Sequence, residues 1–141
     1  ADLKGQILLE SRRVAEAVNA YGRAVQLAPN DPLILAGYGR ALVALNSADG
    51  ARRALGPLER ARSIDGRDPR MLRDLATAYA QTGNNGMASL ATAERYAVLG
   101  RLDDAKIHAT RAEGLLPRGS PGWNRAQDVL NAARAAEQNR R

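Results

Sequence analysis

The 141-residue sequence predicts an all-α fold, a right-handed stack of helical hairpins containing about eight helices and closed by a C-terminal capping helix. Three observations carry that reading. Apolar residues recur at three- and four-residue steps, turn signals divide the chain into short segments, and small and aromatic residues return at matching places in successive helix pairs. Nothing alternates with period two over any useful length, so strands are not expected.

The first helix is expected over roughly 2–10, carried by Leu3, Ile7 and Leu8, with a break at Ser11-Arg12. The second, roughly 13–28, shows one apolar stripe in Val14, Ala17, Val18, Tyr21, Ala24, Val25 and Ala28, and stops at Pro29-Asn30. Asp31-Pro32 opens a third, roughly 32–45, in which Leu35, Tyr38, Leu42 and Leu45 share a face. An aspartate cap followed by proline suits a helix start, because the cap oxygen accepts an orphaned N–H and proline has none to lose. The turn from Asn46 to Gly50 leads to a fourth helix, roughly 50–64, ending near Gly66. Asp68-Pro69 repeats the start signal for a fifth over roughly 69–82, and Gly83 to Gly86 ends it. Roughly 87–99 and 102–116 follow, split by Gly100 and closed by Pro117 to Gly119. Ser120-Pro121 opens the last, roughly 121–137, with Trp123, Ala126, Leu130 and Ala133 facing inward and Gln127, Arg134 and Gln138 outward. This last helix reads as a polar-backed cap.

Composition removes several function classes. The chain has no cysteine, which excludes disulfides and thiolate metal sites. No apolar run approaches the roughly 20 residues of a membrane span. The formal charge is +6, and Lys4 and Lys106 are the only lysines among 21 basic residues. These residues stand in singles and pairs, such as Arg12-Arg13, Arg52-Arg53 and Arg140-Arg141, interleaved with acids. Solvated helix faces explain that spread better than a nucleic-acid patch does. The four tyrosines fall at positions expected to pack internally, and Trp123 sits in a first helical turn, so stacking platforms for single strands are lacking. Ala1 leads straight into helical patterning, and the chain is expected to be a piece of a longer protein.

The hairpins resemble one another, and the resemblance is to the tetratricopeptide repeat (TPR), a helix–turn–helix of about 34 residues with small residues at the helix crossing and proline near its end. The first unit carries Gly5, Leu8, Ala17, Tyr21, Ala24 and Pro29 at that spacing. The second carries Leu35, Tyr38, Gly39 and Leu42, then Ala54, Leu58, Ala61 and Gly66. Leu72, Leu75, Ala76 and Tyr79 open a third, and Ala93, Tyr96, Ala105, Ala109, Ala112 and Pro117 fit a last one. The expected repeats are about 1–31, 32–68, a partial 69–85 and 86–119, in a single domain with the cap at 121–137. Only about half a repeat fits between Pro69 and the last unit. Helix 87–99 therefore reads both as a second and as a first helix, and the inner face stays open after residue 86. Gly39 and Ala54 are expected to let two backbones approach while Tyr38 and Leu58 fill the space beside them.

Particular stretches resemble a narrower group. Leu3 to Glu10, Pro32 to Leu42, Leu90 to Arg101 and Leu115 to Trp123 are similar to the C-terminal TPR region of bacterial exported zinc metalloproteases of the beta-barrel assembly-enhancing type. That resemblance implies a periplasmic location and a non-catalytic region that docks substrate, partner or its own protease domain. The protease motif His-Glu-x-x-His is absent from this chain. A TPR adaptor of another envelope assembly system, such as cytochrome c maturation, is the alternative setting, and nucleic-acid binding by the helical array ranks below both.

No catalytic or metal centre is expected, and no cofactor. His108 is the only histidine, whereas zinc takes three or four ligands. Asp103-Asp104 suit the positive end of a helix dipole. Ser120 lacks a neighbouring base. Asn84-Asn85, between Gly83 and Gly86, follows no strand, so a phosphate loop is disfavoured.

A concave groove lined by the first helix of each pair is where the TPR resemblance places a protein or peptide partner. Its inward positions fall on Gln6, Arg40, Arg70, Arg73, Thr77 and Gln81. The three arginines make it locally positive and suited to carboxylates or carbonyls. Charge reversal of Arg40 with Arg73 is expected to abolish partner binding while leaving the melting temperature unchanged. The carboxylate clamp of some TPR domains would fall on Asp2, Gln6, Gly37, Arg70 and Asp74, where two acids oppose it.

Overall fold

The computed structural model describes residues 3–140, and for residues 3–5 and 7–9 the backbone alone. Seven helices make up the described chain: α1 (Leu3–Leu27), α2 (Pro32–Ala44), α3 (Ala48–Ile64), α4 (Pro69–Gln81), α5 (Asn85–Val98), α6 (Leu102–Leu115) and α7 (Pro121–Asn139). Each packs antiparallel against the next, giving an all-α helical-hairpin stack of the TPR kind.

The count of about eight helices is corrected to seven, because the expected break at Ser11-Arg12 does not occur. α1 runs through it as one helix of 25 residues. Neither glycine nor proline stands there, and the flanking glutamates, alanines and arginines are strong helix formers. The first unit is therefore one helix laid against α2 and not a hairpin. The repeat positions Gly5 and Leu8 lie outside the described side chains, as does Asp2.

The three acid- or serine-proline starts form as read. Asp31 accepts from the Leu33 and Ile34 amides at 2.9 and 3.4 Å, and Asp68 from Arg70 and Met71 at 2.9 and 3.3 Å. Ser120 accepts from Trp123 N at 3.2 Å. Gly83 and Gly100 end α4 and α5 at φ of 82° and 78°, and Gly119 turns the chain before α7 at 82°, a left-handed conformation that glycine adopts without a Cβ clash.

Three cores result. In the first, Leu35, Leu42, Leu58, Met71, Leu72 and Leu75 are fully buried among α1 to α4. Gly39 sits against Leu58, so closely that a Cβ at Gly39 would lie 2.3 Å from Leu58 Cγ. Ala54 is fully buried in α3, one turn before Leu58. The other two, in α5 to α7, are alanine-rich: Ala93, Ala105 and Ala109 with Val129 and Leu130, and Ala112 and Ala126 with Leu90. Gly86 and Gly122 both meet Leu116, which lets the starts of α5 and α7 close on the end of α6.

Tyrosine placement departs from the sequence in one case. Tyr38, Tyr79 and Tyr96 are half-buried against the cores, whereas Tyr21 is 38% exposed. Its ring covers Gly37, where a Cβ would lie 2.4 Å from Tyr21 Cε1, and it lines an open groove with Ala17 and Ala41. Pro29 and Pro117 occupy exposed turns after α1 and α6.

The ambiguity at residue 86 has a geometric answer. α2 approaches α4, and α5 approaches α7, but no contact joins α3 to α5 or α4 to α6. Helix α5 is thus the second helix of the α4 hairpin and the first of the α6 hairpin together. The repeat slips by one helix there.

Candidate functional site

The surface where the inner-groove residues fall is built on α4. Arg70, Arg73, Thr77 and Gln81 follow three- and four-residue steps, so they form one row along that helix. Arg70, Arg73 and Gln81 are exposed and Thr77 is half-buried. Thr77 Oγ1 donates to the Arg73 carbonyl at 3.1 Å, which ties its hydroxyl to its own helix. Neither Arg70 nor Arg73 forms an ion pair among the described residues.

Arg40 reaches this row from α2 but is not free. Its Nε donates to Asp74 Oδ2 at 3.1 Å. Asp74 is only 7% exposed, and a buried carboxylate without a partner is costly. Asp74 thus holds Arg40 as a strut between α2 and α4, and the sequence reading of Arg40 as a groove cation equal to Arg73 is corrected. Reversing Arg40 would set two acids together at the α2–α4 contact, so the expected unchanged melting temperature does not follow.

Gln6 is not brought to the row. Glu10, Ser11 and Val14 of α1 already stand level with Ala44, Leu45 and Asn46 at the end of α2. Gln6 lies about 10 Å further along α1 than Arg13, at 1.5 Å per residue, and is exposed beyond the end of α2.

The row continues where the sequence left the face open. Ala76, Thr77 and Ala80 of α4 share a cleft of about 320 Å³ with Ala88, Ser89 and Thr92 of α5 and His108 and Arg111 of α6. His108 stacks on Tyr96 with ring centroids 5.4 Å apart, and the Arg101 guanidinium lies 4.8 Å from the Tyr96 centroid. Burial pushes the His108 pKa below its ordinary value, and Arg111 adds to this against the opposing pull of Asp104. The sequence reading weighed His108 only as a zinc ligand and gave no sign of its place on this cleft. The 108/111 and 88/92 spacings put these residues on single helix faces, but only the slip at α5 says which face meets α4.

A second cluster lies on the opposite face of the α4–α5 pair. Tyr79 Oη donates to Glu59 Oε1 at 2.8 Å. Arg125 of α7 makes a forked pair with Glu94, its Nε 3.2 Å from Oε2 and its Nη2 on Oε1. Tyr79 and Thr77, and likewise Glu94 and Thr92, are two residues apart, which is about 200° around a helix. These groups therefore face away from the cleft that Thr77 and Thr92 line. Burial, then the Glu59 bond, push the Tyr79 pKa above the tyrosine range. Burial acts to lower the Arg125 pKa, but the bond and charge of Glu94 outweigh it and raise it. These groups tie α3, α4, α5 and α7 together across the slip. On α7, Gln127 is also not an outward residue: it is half-buried and its amide donates to Glu113.

Among the described residues, no three His, Cys, Asp or Glu side chains lie close enough together to hold a metal ion. No described helix is long and apolar enough to cross a membrane. The site is a solvent-open protein surface of arginines, threonines and small side chains.

The tetratricopeptide repeat family model matches residues 8–62, from within α1 to near the end of α3. No curated protein matches the chain. With the helical-hairpin stack, the family match supports a TPR protein. Such repeats generally serve as scaffolds that bind protein partners.

Proposed function

We propose that the chain is the partner-docking module of an exported zinc metalloprotease, working in the periplasm in envelope protein quality control, and that it receives acidic or carbonyl-rich protein segments on the α4 row. The observation that supports the docking surface is the pair Arg70 and Arg73, exposed and without ion-pair partners among the described residues, beside the half-buried Thr77. Arginine offers forked donors that suit carboxylates and backbone carbonyls. Arg111 and His108 extend the same surface toward α6. The protease setting is supported by the stretches Leu3 to Glu10, Pro32 to Leu42, Leu90 to Arg101 and Leu115 to Trp123.

The surface is tested by anisotropy titration of a labelled peptide rich in glutamate and leucine against the chain and its Arg70→Glu/Arg73→Glu variant. Affinity falls at least tenfold in the variant with an unchanged melting temperature. Equal binding by both proteins removes the α4 row from the function. The setting is tested by the reading frame upstream of Ala1: a signal peptide and His-Glu-x-x-His support it, and a frame without them leaves an adaptor.

A further inference from the structure

The cleft shared by α4, α5 and α6 holds donors that the fold leaves unused. Its volume of about 320 Å³ is at the small end of the roughly 300–1,000 Å³ of ligand pockets, so it suits a side chain and not a helix. Ala76, Ala80 and Ala88 give it an apolar wall, and no acid lines it among the described residues. On one side stands Ser89, only 8% exposed, whose hydroxyl forms no hydrogen bond among the described residues. The threonines beside it differ: Thr77 and Thr92 donate to the Arg73 and Ala88 carbonyls of their own helices. A buried hydroxyl is costly unless it finds a partner. On the other side, Arg111 is exposed and forms no ion pair among the described residues, and His108 lies one turn before it, half-buried.

We infer that this cleft takes one carboxylate side chain of the docked segment, a glutamate or aspartate, which bonds to Ser89 and Arg111 and draws a proton onto His108. This subsite rests on the docking reading of the α4 row. The charges around His108 call for an acid from outside. On its own helix Asp104 is already paired with Arg101 at 2.7 Å, and Arg111 repels an imidazolium. From α5 comes Tyr96, stacked on the imidazole, with the Arg101 guanidinium against the Tyr96 ring. Arg95 follows Thr92 by one turn, and its Nε is buried without a partner among the described residues. From α4 comes Thr77, with Arg73 one turn back along the row. The groups of α6 that meet α7 face elsewhere: Lys106 and Glu113 bond to Glu137 and Gln127, about 200° and 140° around the helix from His108. A carboxylate in the cleft accepts from the Ser89 hydroxyl and the Arg111 guanidinium. Its charge offsets burial and Arg111 at the imidazole, which takes up a proton from solvent.

The probe is an end-capped peptide rich in glutamate and leucine, compared with a counterpart carrying glutamine at each glutamate, both added to the full chain. His108 is the only histidine, so its ring protons report its titration by NMR directly. The glutamate peptide at saturation moves that midpoint up by about 1 pH unit, and the glutamine peptide leaves it in place. By anisotropy, affinity for the glutamate peptide rises about fivefold from pH 8 to pH 6, and His108→Gln removes the rise. Ser89→Ala and Arg111→Gln each weaken binding about tenfold with the melting temperature kept. Binding that needs Arg70 and Arg73 but leaves the His108 midpoint unmoved and Ser89→Ala unaffected overturns the subsite and leaves the α4 row standing. A midpoint that still moves in Arg70→Glu/Arg73→Glu, with affinity unchanged, upholds the subsite and removes the row. No binding, an equal movement with the glutamine peptide, or a movement that appears only when the peptide's C-terminus is free overturns the inference.

Discussion

Replacing Gly39 by alanine is the sharpest probe of how the first core is built. A Cβ there would stand 2.3 Å from Leu58 Cγ, 2.4 Å from Cδ2 and 3.1 Å from Cδ1. Carbon atoms prefer about 3.5–4.0 Å, so Leu58 must retreat by more than about 1 Å or the helices must part. Leu58 is 0% exposed, and interiors packed like organic crystals hold no spare volume for it. The contact is to the branch carbon, so turning a methyl group does not relieve it. Alanine recovers about 1 kcal/mol of helix propensity, and overpacking costs about 1–3 kcal/mol, with this contact near the upper end. The net loss is about 1–2 kcal/mol, or a fall of about 3–8 °C in melting temperature for a domain of this size. Circular dichroism melts at 222 nm read it, with Gly114→Ala as control because nothing lies within 4 Å of a Cβ there. A double-mutant cycle supplies the cause. Leu58→Ala alone costs about 2–5 kcal/mol, and in that background Gly39→Ala becomes neutral or stabilising. An unchanged or raised melting temperature for Gly39→Ala alone would refute the packing argument, as would a loss that persists without the leucine.

Arg40→Ala strands the Asp74 carboxylate, 7% exposed, and costs about 1–3 kcal/mol, part of it recovered by adding Asp74→Asn; Arg73→Ala stays within about 0.5 kcal/mol, and urea titrations compare them. Burial and Arg111 lower the folded-state pKa of His108, so its contribution is fully present above the ordinary histidine value of about 6.5 and is lost as pH falls through that value toward the lowered one. Melts from pH 8 to 5 show the decline, and it flattens in His108→Gln. Asp68→Ala removes the acceptor for the Arg70 and Met71 amides and lowers stability by about 1 kcal/mol, read as a shift in urea midpoint at constant m-value.

Most of the fold was legible because its signals are local. Asp31-Pro32, Asp68-Pro69 and Ser120-Pro121 each combine a cap and a stiff first residue, and each starts a helix where read. Gly83 and Gly100 mark ends because left-handed backbone favours residues without a Cβ. Ser11-Arg12 misled because a capping-type residue without glycine or proline permits a stop but does not impose one. Of the candidate site, only the α4 row was legible. The TPR resemblance named Arg70, Arg73, Thr77 and Gln81, and their spacing sets them on one face of α4, but spacing within one helix carries no information about what another helix contributes.

By itself, then, the sequence determined the helical class, the starts of α2 to α7 to within two residues, and that Gly39 stands at a helix crossing whose space Leu58 helps to fill. These rest on capping, propensity and the volume of single side chains, all of which act within a few residues or one helix pair. The tertiary structure alone decided that Asp74 claims Arg40, that Tyr21 is left part-exposed, and that α5 serves two hairpins so that α4, α5 and α6 share a cleft. Each depends on which helix lies next to which, and that is settled by the mutual burial of whole faces, a balance that no single segment of the chain contains.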